Sequence, residues 1–175
     1  MSKSTATHYC IFPTALGPMA ALSNAIGLCR VILPHYQRDD LDALIPWEHP
    51  GAIATRGPFK PFIEQARVYF NGAVPDFSDI PLNLPTETTF AGKVYRACRQ
   101  IPHGTTVSYR ELSLNIGRED AAHAVAAAIG KNPVPLIVPC HRVIYANGKL
   151  GGFSAEGGTP LKQKMLDMER RSRDT

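Results

Sequence analysis

Three prolines, Pro75, Pro81 and Pro85, fall between Val74 and Thr86, and the rest of that stretch shows no apolar period. Proline fixes φ and has no backbone N–H, so neither a helix interior nor a central strand runs through it. The segment therefore reads as a connection between two smaller domains. A length of 175 residues, 44% of them hydrophobic, accommodates two modest cores. The expected domains are 1–80 and 86–170.

The first piece is patterned as β-structure. His8–Phe12 and Met19–Ser23 read as strands joined by the turn Thr14-Ala15-Leu16-Gly17-Pro18, and Gly27–Leu33 as a third strand. Cys10 and Cys29 are expected on neighbouring strands, as packing residues. The charged segment Gln37–Asp42 follows, and then Pro58–Phe70, whose apolar spacing predicts an amphipathic helix. The second piece is patterned as helices. Thr88 or Thr89 caps a helix running through Ile101, and Pro102-His103-Gly104 is a turn. Ser108 and Glu111 have capping-box spacing for a short helix ending at Gly117. A second short helix, Ala121–Ile129, ends at Gly130, which makes a helix-turn-helix. Asn147-Gly148 predicts a hairpin that would serve as a wing. Thr159 and Pro160 open a last helix through about Arg170, with Leu161, Met165 and Met168 on its inner stripe. The fold class is α+β: a small N-terminal β-sheet domain with a helix, then a mostly helical domain with a winged-helix-like helix-turn-helix and a reactive-cysteine loop.

That cysteine is Cys140, in Pro139-Cys140-His141-Arg142-Val143. A thiol attacks carbon well only as thiolate, so it needs a base or a positive charge nearby. A stiff turn with a histidine next to the cysteine offers both, although a buried structural cysteine has the same sequence. Glu169 follows Met165 by four residues and Leu161 by eight, so it shares the inner stripe and needs a partner there. His141 fits, which gives a Cys140–His141–Glu169 relay working through a bridging water. A solvated glutamate near a fraying end is the alternative. Asn132, in Asn132-Pro133-Val134-Pro135, is placed to pin the loop ahead of the cysteine. The helix Ala121–Ile129 is almost all alanine, with His123 its one large polar side chain. Its flat face suits a minor groove better than base readout in the major groove; a buried packing helix is again the alternative.

The four cysteines form no Cys-x-x-Cys pair, which disfavours a zinc ribbon or a thioredoxin-like site. The polar start, Met1–Thr7, predicts no signal peptide, and no window has the apolar length of a membrane span. These readings imply a reducing intracellular compartment. The net charge of +4 is compatible with a polyanionic partner without requiring one.

Asn132-Pro133-Val134-Pro135, Ile137-Val138-Pro139-Cys140-His141-Arg142-Val143-Ile144, Asn147-Gly148 and Gly152-Phe153-Ser154 together closely resemble the O6-alkylguanine-DNA alkyltransferases. The resemblance runs from about Phe90 to Glu169. It implies irreversible transfer of an alkyl group from O6 of guanine, and from O4 of thymine, to Cys140, in one turnover and without cofactor. His141 and Glu169 would generate the thiolate, Tyr109 would donate to a flipped base, and Asn132 would brace the loop. Tyr109, Ala122, His123, Ala126, Arg142 and Ser154 would meet DNA in its minor groove. Ile129, Pro135, Val143, Leu150, Gly151, Phe153 and Ser154 would line the pocket, the small Gly151 leaving room for groups larger than methyl. Backbone carbonyls near Cys140 and Val143 would accept from the exocyclic amine of guanine.

The family usually has arginine where His123 stands, and its zinc-bearing members use ligands whose spacing His8, Cys10, Cys29 and His35 do not reproduce, so no metal is expected. The implied partner is double-stranded DNA carrying the lesion, and the implied protein a monomer of the cytoplasm, or of the nucleus in a eukaryote, without membrane association. Rival readings are a non-catalytic binder of alkylated DNA, a cysteine hydrolase using Cys140, His141 and Glu169, and a plain winged-helix DNA binder with an inert Cys140.

Overall fold

In the computed structural model, residues 5–173 are described. They divide into two units, one ending at Asn83 and the other starting at Leu84.

In the first unit, β1 (His8–Thr14) and β2 (Gly17–Ser23) form an antiparallel hairpin closed by the pair Thr14–Gly17. The Thr14 hydroxyl donates to the Gly17 carbonyl at 2.7 Å, and Gly17 takes φ +125°, a conformation that favours glycine. β3 (Leu28–Ile32) lies antiparallel to β2, and the short β4 (Ile53–Ala54) runs parallel to β1. The strand order is β3-β2-β1-β4. Cys10 and Cys29 are therefore not on neighbouring strands, because β2 lies between theirs. α1 (Arg38–Glu48) covers the charged segment in which the sequence suggested no element. Asp39 and Asp40 sit in its first turn, where the helix dipole favours anions, and Leu41 and Ile45 are buried one turn apart. Pro46 inside the helix masks this pattern in the sequence. α2 (Lys60–Phe70) follows a 3-10 turn at Gly57–Phe59, so the helix expected from Pro58 starts two residues later.

In the second unit, α3 (Phe90–Arg99) is capped by Thr89, whose hydroxyl accepts from the Gly92 N–H at 3.0 Å. It ends two residues short of Ile101. β5 (Val107–Ser108) leads directly into α4 (Tyr109–Asn115), where Ser108 and Glu111 close the capping box in both directions. α5 (Ala122–Ile129) completes the helix-turn-helix. The wing differs from expectation. β6 (Val143–Ile144) pairs in parallel with β5, and Lys149–Leu150 forms no strand. Only the turn survives: Tyr145 N–H donates to the Lys149 carbonyl and Gly148 N–H to the Tyr145 carbonyl, both at 2.9 Å. The returning chain is taken up instead by α6 (Gly158–Arg173), whose Lys162 bonds the carbonyls of Leu150 and Gly152. The buried side of α6 is Leu161, Lys162, Met165, Leu166 and Glu169, with Met168 half-buried. Among the described residues no helix is long and apolar enough to cross a membrane.

Candidate active site around Cys140

Cys140 opens a 3-10 turn, Cys140–Arg142, placed between Pro139 and β6. The loop ahead of it is fastened at both ends by Asn132. The Asn132 amide donates to the Val138 carbonyl at 2.8 Å, and its oxygen accepts from Val134 N–H at 3.1 Å. Cys140 N–H then donates to the Val138 carbonyl at 2.7 Å. Within this loop Leu136 adopts φ +81°, which costs a non-glycine residue about 1–3 kcal/mol and persists only where surroundings impose it. Leu136 and its neighbours Pro135 and Ile137 are buried. The sulfur is consequently fixed in place, with Cys140 only 3% exposed.

Burial pushes the Cys140 thiol up; the Asn132 side chain, the Lys162 charge and the backbone N–H groups of Cys140 and His141 pull it down by less. At rest the group is a thiol. His141 is fully buried, with Nε2 2.6 Å from Glu169 Oε1. Burial lowers its pKa, and the opposing pull of Glu169 does not reverse this, so the imidazole is neutral near pH 7. Burial would raise the Glu169 carboxyl, but hydrogen bonds and charge from His141 and Arg142 hold it well below the usual carboxylate range. An ionised Glu169 facing a neutral ring requires Nε2–H to be the donor. Nδ1 is then the nitrogen that can accept a proton.

Glu169 also accepts from Arg142 through Nε to Oε2 at 2.9 Å and Nη2 to Oε1 at 3.0 Å, and from Gly104 N–H at 2.9 Å. Arg142 Nη1 donates to the Ile101 carbonyl at 2.7 Å. Arg142 was expected at the DNA surface, but it is 8% exposed and its guanidinium is turned inward. The planar fork of arginine matches a carboxylate in two places at once, and that match outweighs a phosphate contact here.

Tyr109, the first residue of α4, is buried and packs on Tyr145 with ring centroids 5.4 Å apart. Burial, then Tyr145 and Cys140, raise its hydroxyl pKa, so it remains a proton donor. Gly151 does not provide spare volume. A Cβ there would stand 3.0 Å from the Tyr109 hydroxyl and 3.2 Å from the Tyr145 ring, and φ is +71°. The position is small because two tyrosines close over it and the turn is left-handed. Ile129, Pro135 and Val143 are buried, Leu150 and Phe153 half-buried, and Ser154 exposed. On α5, His123 is exposed and Ala122 and Ala126 are half-buried.

Cys140, His141, Asn132 and Glu169 are thus gathered around one buried turn. Three further residues join them. Lys162 Nζ donates to the carbonyls of Val143 at 2.7 Å and Leu150 at 2.6 Å. His103 lies with Nδ1 3.9 Å from Glu169 Oε1, and Tyr95 donates its hydroxyl to the Ala128 carbonyl at 3.0 Å, tying α3 to α5. Lys162 was legible in principle. Residues 162, 165, 166 and 169 share one helical face, so whatever buries Glu169 buries Lys162. Val143 O accepts from Lys162 with one lone pair, which leaves the second for another donor.

The family described as "6-O-methylguanine DNA methyltransferase, DNA binding domain" matches residues 89–171. A methylated-DNA–protein-cysteine methyltransferase of Mycolicibacterium paratuberculosis is 47% identical over 109 residues, covering 62% of this chain and 64% of that protein. One from Methanosarcina acetivorans is 34% identical over 164 residues, covering 93% and 97%. A crystal structure of Mycobacterium tuberculosis OGT in complex with DNA superimposes with a TM-score of 0.77 at 34% identity, covering 94% of each chain.

Proposed function

Because this chain belongs to the methylated-DNA–protein-cysteine methyltransferase family, we propose that it repairs DNA by taking the alkyl group of O6-alkylguanine onto its own Cys140. The observation that carries the reading is an ionised Glu169 bonded to a neutral His141, with the buried Cys140 thiol next to it in sequence on a loop pinned by Asn132. The thiol proton passes through one water to His141 Nδ1. The thiolate sulfur bonds to the alkyl carbon as the C–O6 bond breaks, leaving the electron pair on the base. Tyr109 donates to the base as that charge develops. Restored guanine carries one more proton than the alkylated base, which balances the proton lost by the thiol.

The product at Cys140 is a thioether, which water does not cleave, so each molecule acts once and needs no cofactor. Cys140 cannot reach a stacked base from its buried position, so the lesion must swing out of the duplex, at a cost of a few kcal/mol. The small residues of α5 allow close approach to a minor groove, with His123 as the side chain entering the gap. O4-alkylthymine presents a similar carbon to the same sulfur. One copy of the chain contains all these groups, and the protein acts as a cytoplasmic monomer on double-stranded DNA.

Incubation with an oligonucleotide bearing O6-methylguanine, followed by peptide mapping, tests the proposal. One methyl group per protein on the Cys140 peptide is expected, and none in Cys140→Ser. Repair by the serine variant, or repeated turnover with Cys140 unmodified, refutes it. The hydrolase reading predicts that repeated turnover, and the non-catalytic reading predicts binding with no modification.

A further inference from the structure

Tyr145 follows β6 without a break, on the strand that leads away from the Cys140–Arg142 turn, and is 51% exposed. The parallel register explains where its ring goes. Val107 pairs with Val143 and Ser108 with Ile144, so Tyr109 and Tyr145 are the next residues off two paired strands. Their ring centroids are 5.4 Å apart, with the planes inclined at 58°. On the inner side, Cε2 of each ring lies 3.2 Å from where a Cβ on Gly151 would stand, so the Gly151 backbone limits both rings there. The main chain of Tyr145 is fixed as well. Its N–H donates to the Lys149 carbonyl and its carbonyl accepts from Gly148 N–H, both at 2.9 Å, while Asn147 Oδ1 accepts from Lys149 N–H at 3.1 Å. The result is an aromatic ring that is open to solvent yet oriented by its neighbours. It stands against the ring of Tyr109, whose hydroxyl the reading above places on the lesion base.

We propose that Tyr145 is a substrate-contact residue: the open face of its ring, held beside Tyr109 at the end of β6, is the platform on which the extruded lesion base stacks. This rests on the alkyl-transfer reading above. In that reading Tyr109 offers the base a hydroxyl and Cys140 offers the alkyl carbon a sulfur. Neither role presents a flat surface to the ring of the base. Every base has a π-face, and stacking on an aromatic side chain is indifferent to the groups at its edge. Tyrosine loses little conformational entropy in such a contact, because it has two side-chain torsions, and here the packing against Tyr109 and Gly151 already restricts the ring. A base that leaves a duplex loses its stacking partners. Tyr145 supplies one in return, so its effect falls on the lesion-specific part of binding and leaves the phosphate contacts alone.

The test uses Cys140→Ser as the parent protein, so that binding is read without transfer. At one fixed salt concentration, its affinity for a duplex bearing O6-methylguanine is compared with its affinity for the same duplex undamaged. Tyr145→Leu, added to that parent, keeps apolar volume against Tyr109 but has no π-face; Tyr145→Phe keeps the face and loses the hydroxyl. The leucine variant is expected to lose about 5- to 150-fold of the preference for the lesion, while its affinity for undamaged duplex stays within about twofold of the parent. The phenylalanine variant should keep the parent's preference to within about threefold. An unchanged preference in the leucine variant, including one in which both affinities fall together, overturns the proposal. So does a loss in the phenylalanine variant as large as that in the leucine variant, or a parent without any preference for the lesion. Methyl transfer from the lesion oligonucleotide to Cys140 is scored separately in the wild-type protein. Its failure refutes the repair reading, while the preference ratio still reports on Tyr145.

Discussion

Replacing Glu169 by glutamine separates the two tasks of that residue. The carboxylate accepts from His141, Arg142 twice and Gly104 N–H, in a site where Glu169 is 1% exposed. Glutamine nearly preserves shape but removes the counter-charge of Arg142 and turns an NH2 toward existing donors. Removing one partner of a buried ion pair costs about 3–5 kcal/mol. At about 2–4 °C per kcal/mol for a chain of this size, Tm should fall by roughly 6–20 °C. The pH dependence has a definite sign. A carboxyl whose folded pKa is depressed contributes stability above its ordinary value near 4.5, and loses it as pH falls through the folded value. The loss of stability in wild type below that point should therefore be weaker in Glu169→Gln. Alkyl transfer should also slow by about 10²–10⁴-fold, because His141 loses the acceptor that fixes its tautomer. The double variant Arg142→Leu/Glu169→Met should regain much of the stability by replacing both charges with apolar volume, but should not regain activity. Thermal unfolding at several pH values and single-turnover kinetics measure both quantities. A Tm change below about 3 °C in the single variant, or restored transfer in the double one, would refute the two-task account.

Gly151→Ala should reduce single-turnover transfer by about 10–100-fold, because its Cβ displaces the Tyr109 hydroxyl and small misplacements near reacting groups are costly; an unchanged rate, or easier acceptance of bulky alkyl groups, would show that Gly151 faces open space. His123→Arg should tighten DNA binding, steepen its salt dependence by about one phosphate contact and speed repair, as read by titration at several salt concentrations and by transfer kinetics. Equal or slower repair would count against His123 as the side chain that fills the gap left by a flipped base.

The parts of this molecule written in local rules were legible in its sequence. The capping box of Ser108 and Glu111 is one, since both partners lie within one turn. The burial of Glu169 followed from its spacing to Leu161 and Met165. What was not legible depends on competition between distant partners. Arg142 could equally have met a phosphate; its inward turn is decided by Glu169, 27 residues away. The wing was lost because β6 found β5 rather than its neighbour across the Asn147-Gly148 turn. Lys162 escaped notice because lysine is almost never fully buried, and composition therefore argues against its place on the inner stripe beside Met165 and Glu169.

These misses converge on one chemical point. The sequence draws attention to a nucleophile and its base, but the resting sulfur is a buried thiol whose pKa lies above the ordinary value. A freely exposed thiolate would be consumed by oxidants and stray electrophiles, and under the proposed single-use transfer the protein would not recover from that. Burial protects the sulfur by disfavouring its anion, and each pKa unit of that protection costs about 1.4 kcal/mol of reactivity. The opposing groups are all held in place beforehand: Asn132 on the loop, backbone N–H groups in the turn, Lys162 on α6, and His141 oriented by Glu169. None needs to move for the proton to leave. Under the proposed transfer, reactivity then depends on an alkyl carbon arriving at the sulfur, which a base swung out of a duplex would bring to it.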